Sequence, residues 1–252
     1  MRILALLMVL LTGPAWAKAP VLDDISFDQR LGATVPLDVI LRREDGSPTT
    51  FGAAMGDRPV VLALGYFHCT TLCGIVRDDL LNGLAESGLR SGTDYTLLVV
   101  SIDPDETAAD ATAARATESA RYPLPGDAAG VHYLTGNVAS IEQAVGFRAK
   151  FEAATKQFLH PAGLVFLTRS GQVSGYLMGV GYKPGDLRAG ITRAGAGGVE
   201  KAALPILLLC FHFDPDTGRY TLAVMRLLQI GGVLTVLTVA GTIALAMKRE
   251  RG

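Results

Sequence analysis

Cysteine is scarce in this chain: three residues among 252, at positions 69, 73 and 210. That is too few for a disulfide-stapled scaffold, so each cysteine reads as an individually placed group. Histidine is nearly as sparse, with four residues, and tryptophan occurs once. No charge of one sign dominates: 23 Lys and Arg against 24 Asp and Glu leave a formal charge of −1. Without a basic run in the middle of the chain, nothing points to a nucleic-acid partner. Both ends look membrane-related, and what lies between them has the length of about one globular domain.

At the amino end, Met1-Arg2 and the apolar residues 3–11 precede the break Thr12-Gly13-Pro14 and the small–any–small run Ala15-Trp16-Ala17. The apolar part is too short to span a bilayer, so residues 1–17 read as a cleavable signal peptide. Near the other end, residues 227–247 carry no charge and are followed by Lys248-Arg249-Glu250-Arg251. A bilayer needs ~20 apolar residues, and the basic stop orients such a span. The expectation is one transmembrane helix over 227–247, a cytoplasmic tail over 248–252, and an exported functional domain tethered by its C-terminus. Outside the cytoplasm, thiols tend to oxidise.

Between the ends the chain is organised around Val60-Val61-Leu62-Ala63-Leu64-Gly65, which leads through Tyr66-Phe67-His68 to Cys69-Thr70-Thr71-Leu72-Cys73. The apolar run reads as a buried strand, and Leu72, Ile75, Val76, Leu80 and Leu84 carry a helical spacing after it. A linker over 18–36 precedes a hairpin, with strands over 37–41 and 49–51. Further strands are expected over 95–102 and 131–134, helices over 108–121 and 140–150, and a second hairpin from 162–168 and 173–178. A last helix begins at Lys183-Pro184. Thr107 or Asp105 suits the cap of the helix at 108. Strands alternating with helices and closed by an antiparallel hairpin predict an α/β fold, a thioredoxin-like sandwich over 37–195. Residues 196–226 read as a linker and a hairpin extension.

A strand that hands over to a helix through two thiols sets them at a helix start, where the macrodipole favours thiolate. Residues four apart on a helix are neighbours, so Cys69 and Cys73 can share one soft metal ion or close a disulfide. Taken with Ser101-Ile102-Asp103-Pro104 after the next strand and the lone His160 before the hairpin, Cys69-Thr70-Thr71-Leu72-Cys73 resembles the SCO/SenC family. Its members are membrane-tethered, thioredoxin-like copper proteins that help to assemble cytochrome c oxidase. The tail from Cys210 to Tyr220 with the final span is similar to a bacterial branch anchored at its C-terminus. The resemblance implies copper ligands at Cys69, Cys73 and His160. Two departures stand out: Thr70 and Gly74 replace the prolines common after each cysteine, and Leu159-His160-Pro161 replaces a common Asp-His-Ser.

Two thiolates and an imidazole suit Cu(I), since soft sulfur selects it. The function expected is therefore a metallochaperone, not an enzyme, that delivers Cu(I) to the dinuclear copper centre of an oxidase subunit. An upstream copper donor would load it. The alternative is a thiol–disulfide reductase that keeps the partner's copper-ligand cysteines reduced, with Cys69 and Cys73 as its redox pair. A peroxidase is a third, weaker reading. Cys210 and His212 would share one face of a strand, as a membrane-side relay or, the preferred reading, as packing. His68 reads as a residue that tunes the thiols, His132 as structural, and Asp103 and Asp105 as turn residues.

Overall fold

The computed structural model describes residues 25–68, 72–201 and 231–241. Its centre is one five-stranded sheet. Three strands run parallel: β4 (Val60–Gly65), β5 (Thr96–Ser101) and β6 (Val131–Leu134). On the other side of β4 lie β10 (Gly163–Leu167) and β11 (Val173–Met178), antiparallel to it and to each other respectively, so the order is β11-β10-β4-β5-β6. Strands covered on both faces read as unbroken apolar runs, which is why Val60–Leu64 and Thr96–Val100 show no alternation.

The pleat still sorts these residues. Val61, Ala63, Leu97, Val99, Tyr133, Leu164 and Phe166 share one core with Val76, Leu80 and Leu84 of α2 (Leu72–Glu86), Ala111 of α3 (Ala108–Arg121) and Leu187 and Ile191 of α5 (Pro184–Gly195). Val60, Leu62, Leu98, Val100 and Val165 face the second core with Phe51 and Met55 of α1 (Phe51–Met55) and Ile141 and Val145 of α4 (Ala139–Val145). Helices therefore cover both sides of a mixed sheet, two of its pairings parallel and two antiparallel, as expected for the sandwich. Helix α5 comes so close to α2 that a Cβ on Gly83 would stand 2.6 Å from the Leu187 side chain.

The expected hairpin forms from β2 (Ile40–Arg42) and β3 (Pro48–Thr50), joined to the sheet by backbone bonds between Arg42 and Thr135. Helix α3 begins where predicted, with the Asp110 carboxylate accepting both the N–H and the O–H of Thr107. The helix expected over 140–150 stops short, at Val145. Gly146 adopts a left-handed φ of 72°, and a Cβ there would meet the Asp28 carbonyl at 1.9 Å, so only glycine fits this stop. Phe147 and Arg148 then turn into β7 (Phe147–Arg148), paired with β1 (Ser26–Phe27). A small hairpin of β8 (Lys150–Glu152) and β9 (Gln157–Leu159) follows.

Residues 231–241 are helical, with Val233, Leu234, Val236, Leu237 and Val239 exposed. Among the described residues no helix is long and apolar enough to cross a membrane. Residues 1–17, expected to be a signal peptide, together with Cys210, His212 and most of 227–247, lie outside the described residues.

Candidate metal centre

The parallel strands β4 and β5 end side by side, and the loops beyond their C-terminal ends build the candidate site. In open α/β sheets, ligands gather at that edge. Cys69 lies outside the described residues. Cys73 is the second residue of α2, and nothing is described of its side chain. Among the described residues no three His, Cys, Asp or Glu side chains group as a metal site.

His160 arrives at the same edge from the other direction. Strand β10 runs antiparallel to β4 with Leu164 opposite Ala63, which sets the residues preceding β10 level with the loop beyond Gly65. Gly65, Val76, Arg77 and His160 line one small cavity, so the imidazole stands beside the first turns of α2. Its ring packs against Tyr66 at 6.0 Å and Phe147 at 5.8 Å between centroids. Nδ1 lies 3.0 Å from the Pro161 carbonyl. A carbonyl only accepts, so Nδ1 carries the proton and the ring's lone pair is on Nε2. Leu159, next to the ring, has no polar group to orient it, and the Pro161 carbonyl does so instead. Burial holds the His160 pKa below the ordinary value, against the bond to Pro161 and aided by the Arg77 charge.

Several residues at this edge were not foreseen. Arg77 is buried beneath the loop, where its Nε donates to Glu118 at 2.6 Å and its Nη1 to the Tyr66 carbonyl at 2.9 Å. Tyr133 donates to the same Glu118 carboxylate, and burial beside that charge raises the phenol's pKa. Glu106 reaches back from the turn after β5 to the backbone of Phe67 and His68. Each ring nitrogen of His68 faces a carboxylate: Nδ1 lies 3.0 Å from Glu106 and Nε2 3.3 Å from Asp110. Asp103 and Asp105 are turn residues as expected, with the Asp103 carboxylate accepting the Asp105 N–H. His132 sits inside β6 against Arg43, a structural place.

The SCO1/SenC family model matches residues 41–194, well over half of the chain. This chain belongs to the SCO1/SenC family. Among curated proteins no sequence matches significantly. Solved structures share the fold of this SCO1/SenC domain. One, provisionally described as an electron transfer protein from Aquifex aeolicus VF5, is 23% identical with a TM-score of 0.59, over 66% of this chain and 95% of its own. BsSco, described as a member of the Sco family of cytochrome c oxidase assembly proteins with a disulfide switch, is 17% identical with a TM-score of 0.52, over 67% and 97%. ScoI of Arabidopsis thaliana, solved with copper bound, is 16% identical with a TM-score of 0.51, over 66% and 98%.

Proposed function

We propose that this protein is a copper metallochaperone that carries Cu(I) on Cys69, Cys73 and His160 and passes it to the dinuclear copper centre of a cytochrome c oxidase subunit. The observation that carries the reading is the placement of His160. A half-buried imidazole, protonated at Nδ1 by its bond to a carbonyl, stands beside the first turns of the helix whose second residue is Cys73. Two thiolates and a neutral imidazole form a donor set that suits Cu(I). Copper is cargo here. A three-donor seat at the exposed end of a sheet can surrender its ion one ligand at a time to incoming thiolates, and burial, which lowers the His160 pKa, favours the neutral ring that a metal needs. Family membership and the copper-bound ScoI structure support the cargo, and BsSco's place among cytochrome c oxidase assembly proteins supports the destination.

The domain expected over 37–195 contains the family match, and the folded unit also takes in part of the expected linker, since β1 pairs with β7 and Phe27 and Val35 lie in the core. It is exported behind residues 1–17 and tethered by a span over 227–247, with 196–226 between. The exposed apolar side chains of helical residues 231–241 support the tether, because such a surface is costly to leave in water.

The disulfide switch reported for BsSco favours a second reading, thiol–disulfide reduction of the partner's cysteines. His160→Ala separates the two. Thiol exchange follows thiolate fraction and access, so it persists in that variant under either reading. The expected result in cells carrying only His160→Ala is an oxidase without its copper centre, while exchange measured in parallel survives. Normal oxidase assembly together with weak copper retention would promote the reductase. Reporter fusions at Gly195 and Arg251 test topology; a cytoplasmic domain would overturn the export reading.

A further inference from the structure

Glu106 lies in the turn after β5, its side chain only 2% exposed, and among the described residues no lysine or arginine pairs with it. Removing a carboxylate from water is costly unless its lone pairs are all engaged. Here they are. Oε2 accepts the Phe67 N–H at 2.8 Å and the Ser101 hydroxyl at 2.6 Å. Oε1 accepts the His68 N–H at 2.7 Å and faces His68 Nδ1 at 3.0 Å. A carboxylate offers about four acceptor sites, and four donors fill them. Three of the four come from the two residues that lead into Cys69.

The opposite side of the same backbone is held as well. The Tyr66 carbonyl and the Phe67 N–H belong to one peptide unit. The carbonyl takes the Arg77 Nη1 at 2.9 Å, while the N–H goes to Glu106. A buried cation from α2 and a buried anion from the β5 turn thus grip one peptide plane from its two ends, and Glu106 also holds the N–H that follows. We propose that Glu106 is a positioning residue: it fixes the backbone entering the thiol pair relative to α2, so that the seat is preorganised before copper arrives. The assignment rests on the metallochaperone reading for its purpose, though the clamp itself can be tested without copper. Glu106→Gln is not conservative at this place. The amide keeps one acceptor oxygen, and its NH2 is turned against two donors.

The test uses the full-length chain, reduced and anaerobic, with two readouts. Amide hydrogen exchange at Phe67 and His68 in Glu106→Gln should accelerate by about tenfold or more, while the Val99 amide in β5 is unchanged. Cu(I) retention against a chromogenic Cu(I) chelator should fall by roughly tenfold or more, the usual cost of losing a residue that orients ligands. Glu106→Asp keeps the charge but shortens the reach, and should lose retention too; full retention there would assign the effect to charge and overturn positioning. If Glu106→Gln does not fold, Ser101→Ala removes one donor alone and should speed the same amides by a smaller factor. Equal acceleration of Phe67, His68 and Val99 would reveal a general loss of stability and overturn the proposal. So would unchanged retention alongside exposed Phe67 and His68 amides. A parent chain that binds no Cu(I) would sink the proposed function instead, and unchanged Phe67 and His68 amides would then sink the clamp.

Discussion

His132 and His160 are buried to a similar degree of discomfort and put to opposite uses. Both rings have lowered pKa values, with burial the largest cause and an arginine adding to it: Arg43 for His132, Arg77 for His160. His132 is held down to about 4. The difference lies in what each ring meets. Arg43 Nη1 lies 3.1 and 3.4 Å from the two His132 nitrogens, and a guanidinium only donates, so the protein itself consumes that ring's lone pair. His160 meets a carbonyl, which takes the proton-bearing nitrogen and sets the lone pair on Nε2. Burial alone makes an imidazole neutral. The polarity of its first hydrogen-bond partner decides whether it is a structural strut or a prospective ligand.

One buried network runs between the two places, since Arg77 flanks His160 and Tyr133 follows His132, with Glu118 joining them. Breaking it should produce the largest effect. Glu118→Ala leaves the buried Arg77 guanidinium uncompensated and should cost about 3–5 kcal/mol of stability, read from urea unfolding. A cost below about 1 kcal/mol would mean that the network is not closed to water. Next in size is the direct contrast. His160→Ala should weaken Cu(I) retention by more than the ~10–100-fold that loss of an outer partner costs, while His132→Ala leaves retention unchanged. Equal losses in the two variants would erase the distinction between strut and ligand.

A smaller effect concerns pH. The folded-state pKa of His132 is about 4 and the ordinary value is 6.5, so between these the unfolded chain binds more protons. Stability from this group is therefore complete above pH 6.5 and declines as pH falls toward 4. The ring is partly exposed, and after a discount for solvent screening the loss is about 1–2 kcal/mol. His132→Gln should flatten the slope of unfolding free energy between pH 7.5 and 5; an unchanged slope would assign it to other groups. The smallest effect expected is on the hairpin that delivers His160. Phe151 is 52% exposed and touches Phe158 at 5.1 Å, and Phe158 touches Tyr66. Phe151→Ser should cost about 0.5–1 kcal/mol and leave Cu(I) retention within a factor of a few.

Much of this was legible in the pattern of apolar residues. Strands buried on both faces announce themselves as short Val- and Leu-rich runs, and Val60–Leu64 and Thr96–Val100 do so. Thr107 and Pro184 marked helix starts because capping and the missing proline N–H are local effects. The stop at Val145 was missed because its cause is not local. Gly146 is required by the approach of the Asp28 carbonyl, more than a hundred residues away in the chain. The hairpin at 150–159 was missed because its strands have three residues each and carry no clear alternation. At the site, Cys69, Cys73 and His160 are proposed as ligands from spacing and resemblance, and the structure sets His160 near the start of α2. Glu106 and Arg77 were not foreseen, since an acidic residue in a turn and an arginine on a helix look like solvated surface until the tertiary fold buries them.

Under the proposed function, the antiparallel insertion of β10 beside β4 also governs when the protein can take up its cargo. His160 lies almost ninety residues beyond Cys73, and it reaches the seat only once β10 has paired with a strand laid down about a hundred residues earlier. Closing so long a loop is slow relative to local helix formation. A nascent chain released as far as α4 offers an incoming ion two thiols and nothing more. Complete capture waits for the sheet to close, and bound metal then adds its binding free energy to the closed form. Under the proposed function, loading thus reports on completed folding, and a chain that has not finished its sheet holds copper too weakly to carry it.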